Sequence, residues 1–149
     1  MNYTTDPDLV PDWDAGGDRD LYKVIIAGSR EYDDYHHLST ACDFLLSDVS
    51  PDLRIEIVSG GAPGADTLGE KYAYERGYSI TRFPADWEVY GRAAGPIRNR
   101  EMAEYADALI AFPVGKSPGT RNMIKQARQL DLHVDYANHN SPALKGMQS

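Results

Sequence analysis

Three short segments carry residues able to hold a charged small molecule. The stretch IVSGGAPGAD, residues 57–66, passes from an apolar run into Ser59, Gly60, Gly61, Gly64, Ala65 and Asp66. Glycines let backbone approach a ligand closely, and the N–H groups of a helix start suit an anion such as phosphate. GSR (Gly28, Ser29, Arg30) and GKSPGT (from Gly115 through Lys116, Ser117 and Gly119 to Thr120) have the same character. The chemistry they suggest is phosphate binding by backbone donors and arginine.

The familiar fingerprints fail at these places. A P-loop ending in Gly115, Lys116 and Ser117 needs glycine at position 110, where Ile110 stands. The dinucleotide pattern G-x-G-x-x-G is missing from GSREYD, which follows the first apolar run and holds one glycine. Neither a G-x-S-x-G elbow nor an H-E-x-x-H pair occurs, so no hydrolase nucleophile is marked. His36, His37, His133 and His139 lack ligand spacing and read as surface or satisfied residues, and no metal site is expected. The single cysteine, Cys42, excludes an internal disulfide and reads as a small buried hydrophobe.

The elements that must position these segments alternate regularly. KVIIAG (23–28) is apolar throughout, as a strand buried on both faces should be. Leu38, Ala41, Cys42, Leu45 and Val49 share a helical face, which predicts a helix over 35–47, ended by Pro51. RIEIV (54–58) is a second strand, and a helix over 66–77 closes at Gly77. YSITRFPA (78–85) is a third strand, followed by a long loop, DWEVYGRAAG, and a helix over 96–105 with Pro96 in its first turn. DALIAF is the fourth strand, a helix runs on to about residue 130, and LHVDYA is the fifth strand. Strand and helix in turn predict a single Rossmann-like three-layer α/β domain with a mostly parallel five-stranded sheet. Ligands of such folds sit beyond the carboxyl ends of the strands, where all three glycine segments fall.

Length and composition set the frame. The 149 residues fit one domain, divided here into an acidic, flexible arm (1–21), the α/β domain (22–138) and a polar tail (139–149). No apolar run approaches the ~20 residues of a membrane span, so no membrane partner is expected. The N-terminus lacks a signal-peptide pattern, which places the chain in the cytoplasm. The net charge of −8 argues against nucleic acid as a partner. Charge is uneven, however: Asp6, Asp8, Asp12, Asp14, Asp18 and Asp20 crowd the arm, while residues 89–125 sum to +3. That window reads as a local cationic pocket for a small anion.

The order GSR, SGGAPGAD, GPIRNREM (95–102) and KSPGT on a β-α ladder resembles the SLOG superfamily, and within it the small DUF2493 (YspA/YpsA-related) proteins. The resemblance covers roughly residues 23–138. It implies a nucleotide or nucleotide-derived ligand at the glycine loops, often in homo-oligomers; no cofactor is expected. More distant branches are the LOG phosphoribohydrolases, the DprA DNA-processing proteins and sensor domains of prokaryotic conflict systems. LOG enzymes carry P-G-G-x-G-T-x-x-E, whose glutamate belongs to the N-glycoside-cleaving site. Here the segment reads GKSPGTRNM, with Met123 in that place. A thioether neither takes a proton nor stabilises an oxocarbenium-like charge, so enzymatic activity is disfavoured.

Roles follow for individual residues. Backbone at Gly60, Gly61 and Gly64 is expected to cradle a phosphate, with Gly119 and Thr120 as a second donor set. Arg30 and Arg98 suit forked bonds to phosphate oxygens. Asp66 reads as a helix N-cap or an acceptor for a ribose hydroxyl. Trp87 and Tyr90 are candidates for stacking on a base, and Asn99 and Asn122 for reading base or sugar. Arg98 and Glu101 are the candidates for any catalysis, although an Arg98–Glu101 pair at helical spacing is more often a surface ion pair. The leading reading is a non-catalytic binder of a nucleotide-derived small molecule. It would act as a sensor or sequestering protein, of a kind that a phage or mobile element encodes. A phosphoribohydrolase-type enzyme is the alternative, and a DprA-like DNA-binding module stands third because of the −8 charge.

Overall fold

A computed structural model describes residues 20–137. The arm and the polar tail assigned from sequence lie almost entirely outside the described residues. Strand and helix alternate, except that two helices follow β3: β1 (Leu21–Gly28), α1 (Tyr35–Leu46), β2 (Arg54–Ser59), α2 (Ala65–Arg76), β3 (Ser79–Arg82), α3 (Trp87–Tyr90), α4 (Ala94–Tyr105), β4 (Ala108–Phe112), α5 (Pro118–Gln129) and β5 (His133–Tyr136). Every strand pairing is parallel, and the strand order is β3-β2-β1-β4-β5. The Rossmann-like expectation holds.

The layers follow from the two-residue period of the central strand. Val24 and Ile26 of β1 point to one face, where they pack with Leu38, Cys42, Tyr72 and Ala73 of α1 and α2. Ile25 and Ala27 point to the other, against Met102 and Ala103 of α4 and Met123 and Ala127 of α5. Both faces are covered, which is why β1 reads as an unbroken apolar run. Cys42 is fully buried in the first of these cores.

Helix ends obey local rules. Asp34 caps α1 by accepting from the His37 N–H at 3.0 Å. Gly77 ends α2 in the left-handed conformation, φ 75°, donating to the carbonyls of Ala73 and Tyr74. One expectation needs correction. The segment 86–95 is not a plain loop: Asp86 accepts from the Val89 N–H and caps the one-turn helix α3, and a 3-10 turn, Gly91–Ala93, leads directly into α4. The single turn is too short to show a hydrophobic period. Its side chains are all exposed, Trp87 and Tyr90 among them. Among the described residues no helix is long and apolar enough to cross a membrane.

Candidate functional site

Strand order reverses between β1 and β4, and the loops after these two strands are locked together. The Val114 N–H donates to Ser29 Oγ at 2.6 Å, and the Ser29 and Ser117 hydroxyls bond to each other. Ser117 Oγ donates onward to the Val114 carbonyl at 2.8 Å. Taken in that direction the ring uses each hydroxyl proton once. Ser29 and Ser117, expected to meet ligand, are buried and bind each other, so the GSR turn and the GKS loop form one rigid rim.

The glycine loop after β2 differs from the expected cradle. Its Gly61 N–H donates to Ser59 Oγ at 3.0 Å, Ala62 N–H to Asp66 Oδ2 at 3.3 Å and Ala65 N–H to the Ser29 carbonyl at 3.2 Å. These donors are taken up inside the fold and are not free for an anion. The glycines have a steric purpose instead. A Cβ on Gly60 would lie 2.4 Å from Arg98 Nη1 and 2.8 Å from Asp66 Oδ2, and one on Gly64, at φ +81°, would lie 2.2 Å from the Ser29 carbonyl oxygen. Gly64 is also the N-cap of α2, without a side-chain bond, and Asp66 lies inside the first turn. Asp66 is therefore not the N-cap that its position suggests.

A cleft of about 580 Å³ opens at the switch point. Gly28, Ser29 and Arg30 form one wall and Lys116, Ser117, Gly119, Thr120 and Asn122 the opposite one, with Asp66, Trp87, Arg98 and Asn99 between them. Gly60 and Gly61 line a neighbouring cavity of about 460 Å³. Ser59, Gly64, Ala65, Tyr90 and Glu101 are not on the walls of either. Glu101 is exposed and Arg98 turns away from it. Arg98 Nη1 donates to the Gly60 carbonyl at 2.6 Å and Nε to Asn99 Oδ1 at 3.0 Å. Asn99 in turn donates to Asn122 Oδ1 at 3.0 Å and to the Gly119 carbonyl at 3.3 Å, tying α4 to the start of α5. At that start Ser117 makes no side-chain cap bond, and Ser117, Pro118, Gly119 and Thr120 line the cleft.

The electrostatics centre on Arg98. Burial pushes its guanidinium below the usual value, Asp66 opposes that shift, and the nearby charge of Arg30 adds to it. Burial pushes the Asp66 carboxyl up to about 6, against the pull of Arg98 and the Ala62 N–H. Two guanidinium groups thus repel across a cleft whose buried counter-charge is close to neutralisation near pH 6. An anion between them relieves that repulsion. Met123 is buried in the core and lines the cleft. Among the described residues no cluster of three His, Cys, Asp or Glu could hold a metal ion. Sequence reasoning missed Arg82, the last residue of β3 and a wall of the second cavity; its place on the carboxyl edge was the available signal.

Fold and cleft define a Rossmann-like α/β domain with an open cleft at its switch point, lined by Arg30, Arg98 and Lys116 together with Glu31 and Asp66. The profile of the YspA, cpYpsA-related SLOG family matches residues 22–90. The chain belongs to that family. It is 37% identical over 122 residues to the Gene 61 protein of Mycobacterium phage D29, covering 76% of this chain and 94% of the relative. In fold it is similar to DNA processing protein A (DprA) of Streptococcus pneumoniae, with a TM-score of 0.59 and 19% identity over 87% of this chain and 54% of that one. DprA of Helicobacter pylori, described in a single-stranded DNA binding mode, gives a TM-score of 0.55 and 20% identity over 89% of this chain and 72% of that one. The chain spans about half the length of the pneumococcal protein.

These neighbours correct one expectation. Net charge does not set nucleic acid aside as a partner, because the shared fold occurs in DNA-processing proteins. Physically, the −8 is a sum over the whole chain, of which residues 1–19 and 138–149 contribute −3 and residues 20–137 the remaining −5, and it does not describe any one surface. The cleft itself is lined by three cationic residues, Arg30, Arg98 and Lys116, against Glu31 and Asp66.

Proposed function

We propose that the chain binds a nucleotide through its phosphate at the switch-point cleft and holds it without converting it. The observation that carries this reading is the pair Arg30 and Arg98, which line one cleft together with Lys116 and the first residues of α5. Forked guanidinium bonds and helix-start N–H groups are the two commonest protein answers to a phosphate. Retention without turnover is supported by Met123, which offers no proton and no negative charge where the LOG branch has its glutamate. A sequestering role agrees with kinship to a phage protein.

A second reading, in which the bound nucleotide belongs to single-stranded DNA, is favoured by the DprA fold neighbours. A thermal-shift screen of nucleoside phosphates and short single strands separates the two, with each hit recovered and weighed by mass spectrometry. A stabilising nucleotide returned intact supports the proposal, and stabilisation by strands alone supports the second reading. Arg30→Ala removes an exposed cation without touching the core and weakens binding by about tenfold or more, the worth of one charge-assisted hydrogen bond. Release of free base from a hit would make the protein a hydrolase and end the proposal.

A further inference from the structure

Arg98 stands between two cavities. The second, of about 460 Å³, opens between the loop around Gly61 and the segment after β3, and Arg30, Ala62, Trp87 and Arg98 face both. Each volume lies within the roughly 300–1,000 Å³ of small-ligand sites. The charged residues on the wall of the second cavity are all arginines: Arg30, Arg82 and Arg98. Arg82 is aimed by a relay that begins at the end of β2. Ser59 Oγ donates to Glu70 Oε2 at 2.7 Å, and Arg82 Nη2 donates to the other oxygen of that carboxylate at 2.8 Å. The Arg82 side chain remains 46% exposed, so it can meet a ligand while held by Glu70. Trp87, 51% exposed, presents its indole on the wall the cavities share. One nucleotide anchored at Arg30 and Arg98 occupies one side of this wall and leaves the other cavity unused.

We propose that the ligand is a pair of nucleosides joined through phosphate, with the linking phosphate on Arg30 and Arg98, one unit in each cavity, and Arg82 selecting for the second unit. The inference rests on the phosphate-anchored reading of the cleft and adds the ligand's size and a specificity residue. The same chemistry has two sources, a free dinucleotide and a step of single-stranded nucleic acid.

Calorimetric titration of the full chain tests it with three probes: adenosine monophosphate, two adenosines joined by pyrophosphate, and a 5′-phosphorylated deoxyadenosine dinucleotide. At least one two-unit probe binds about tenfold tighter than the monophosphate, a difference of about 1.4 kcal/mol. Arg82→Gln abolishes that gain and leaves monophosphate affinity unchanged. Ala85→Phe, which fills the second cavity from a wall without charge, does the same, so a folding defect in one variant does not decide the matter. Tighter binding of the pyrophosphate-linked probe assigns a free dinucleotide, and tighter binding of the deoxydinucleotide assigns a strand. Equal affinity for one-unit and two-unit probes overturns this inference and leaves phosphate anchoring intact. No binding of any probe overturns both.

Discussion

Asp66→Asn isolates the electrostatic balance of the cleft. The Asp66 carboxyl is pushed up from 3.8 to about 6, chiefly by burial, at 5% exposure. A raised carboxyl pKa means that the folded state holds a proton which the unfolded chain has already lost. Stability therefore increases as pH falls through about 6, and the gain levels off below the unfolded value near 4. Between about pH 7.5 and about pH 5 this group contributes about 1.4 kcal/mol, from 2.303RT weighted by the two titration curves. The near-isosteric Asp66→Asn keeps an acceptor for the Ala62 N–H and removes the titration. Denaturant unfolding of both proteins at the two pH values measures the effect. The wild type gains about 1.4 kcal/mol more than Asp66→Asn on acidification. Identical pH responses would refute the assignment of a near-neutral carboxyl beside Arg98.

Three further substitutions test the frame around the cleft. Ser29→Ala breaks the hydroxyl ring and leaves the Val114 N–H without its acceptor, which costs about 1–3 kcal/mol by denaturant melts. Gly64→Ala meets both a positive φ and the Ser29 carbonyl oxygen, and loses more than about 2 kcal/mol by the same measure. Met123→Glu places an ionisable group in a fully packed core, so it destabilises by several kcal/mol and releases no base from nucleoside monophosphates in a chromatographic assay.

The parts of this protein that follow local rules were legible in its sequence. Lys23 to Gly28 reads as a strand because parallel strands bury both faces, and the carboxyl edge of the sheet as the place of the loops follows from the β-α alternation. The glycine segments were placed on the correct edge for the same reason. Tertiary partners were not legible. Ser29 meets Val114 and Ser117 across 85 and 88 residues, so nothing near it reveals that its hydroxyl is taken. Of the expected cradle of Gly60, Gly61 and Gly64, Gly61 looks open to an anion until Ser59 Oγ is seen to accept its N–H. Arg98 and Glu101 have the spacing of a helical ion pair, yet the Gly60 carbonyl wins the guanidinium because it lies in the more buried direction. Whole-chain charge misled about partners because the cleft's arginines enter one sum with acidic residues spread over the rest of the chain.

Phosphate recognition by the cleft is tested by comparing a nucleoside with its own monophosphate. Isothermal titration of the purified chain with adenosine and with adenosine monophosphate, at neutral pH and moderate salt, gives the difference that the phosphate makes. The account predicts binding of the monophosphate at least tenfold tighter, or about 1.4 kcal/mol, with the advantage lost in Arg30→Ala. Equal affinity for the two, or an advantage that survives Arg30→Ala, would contradict it.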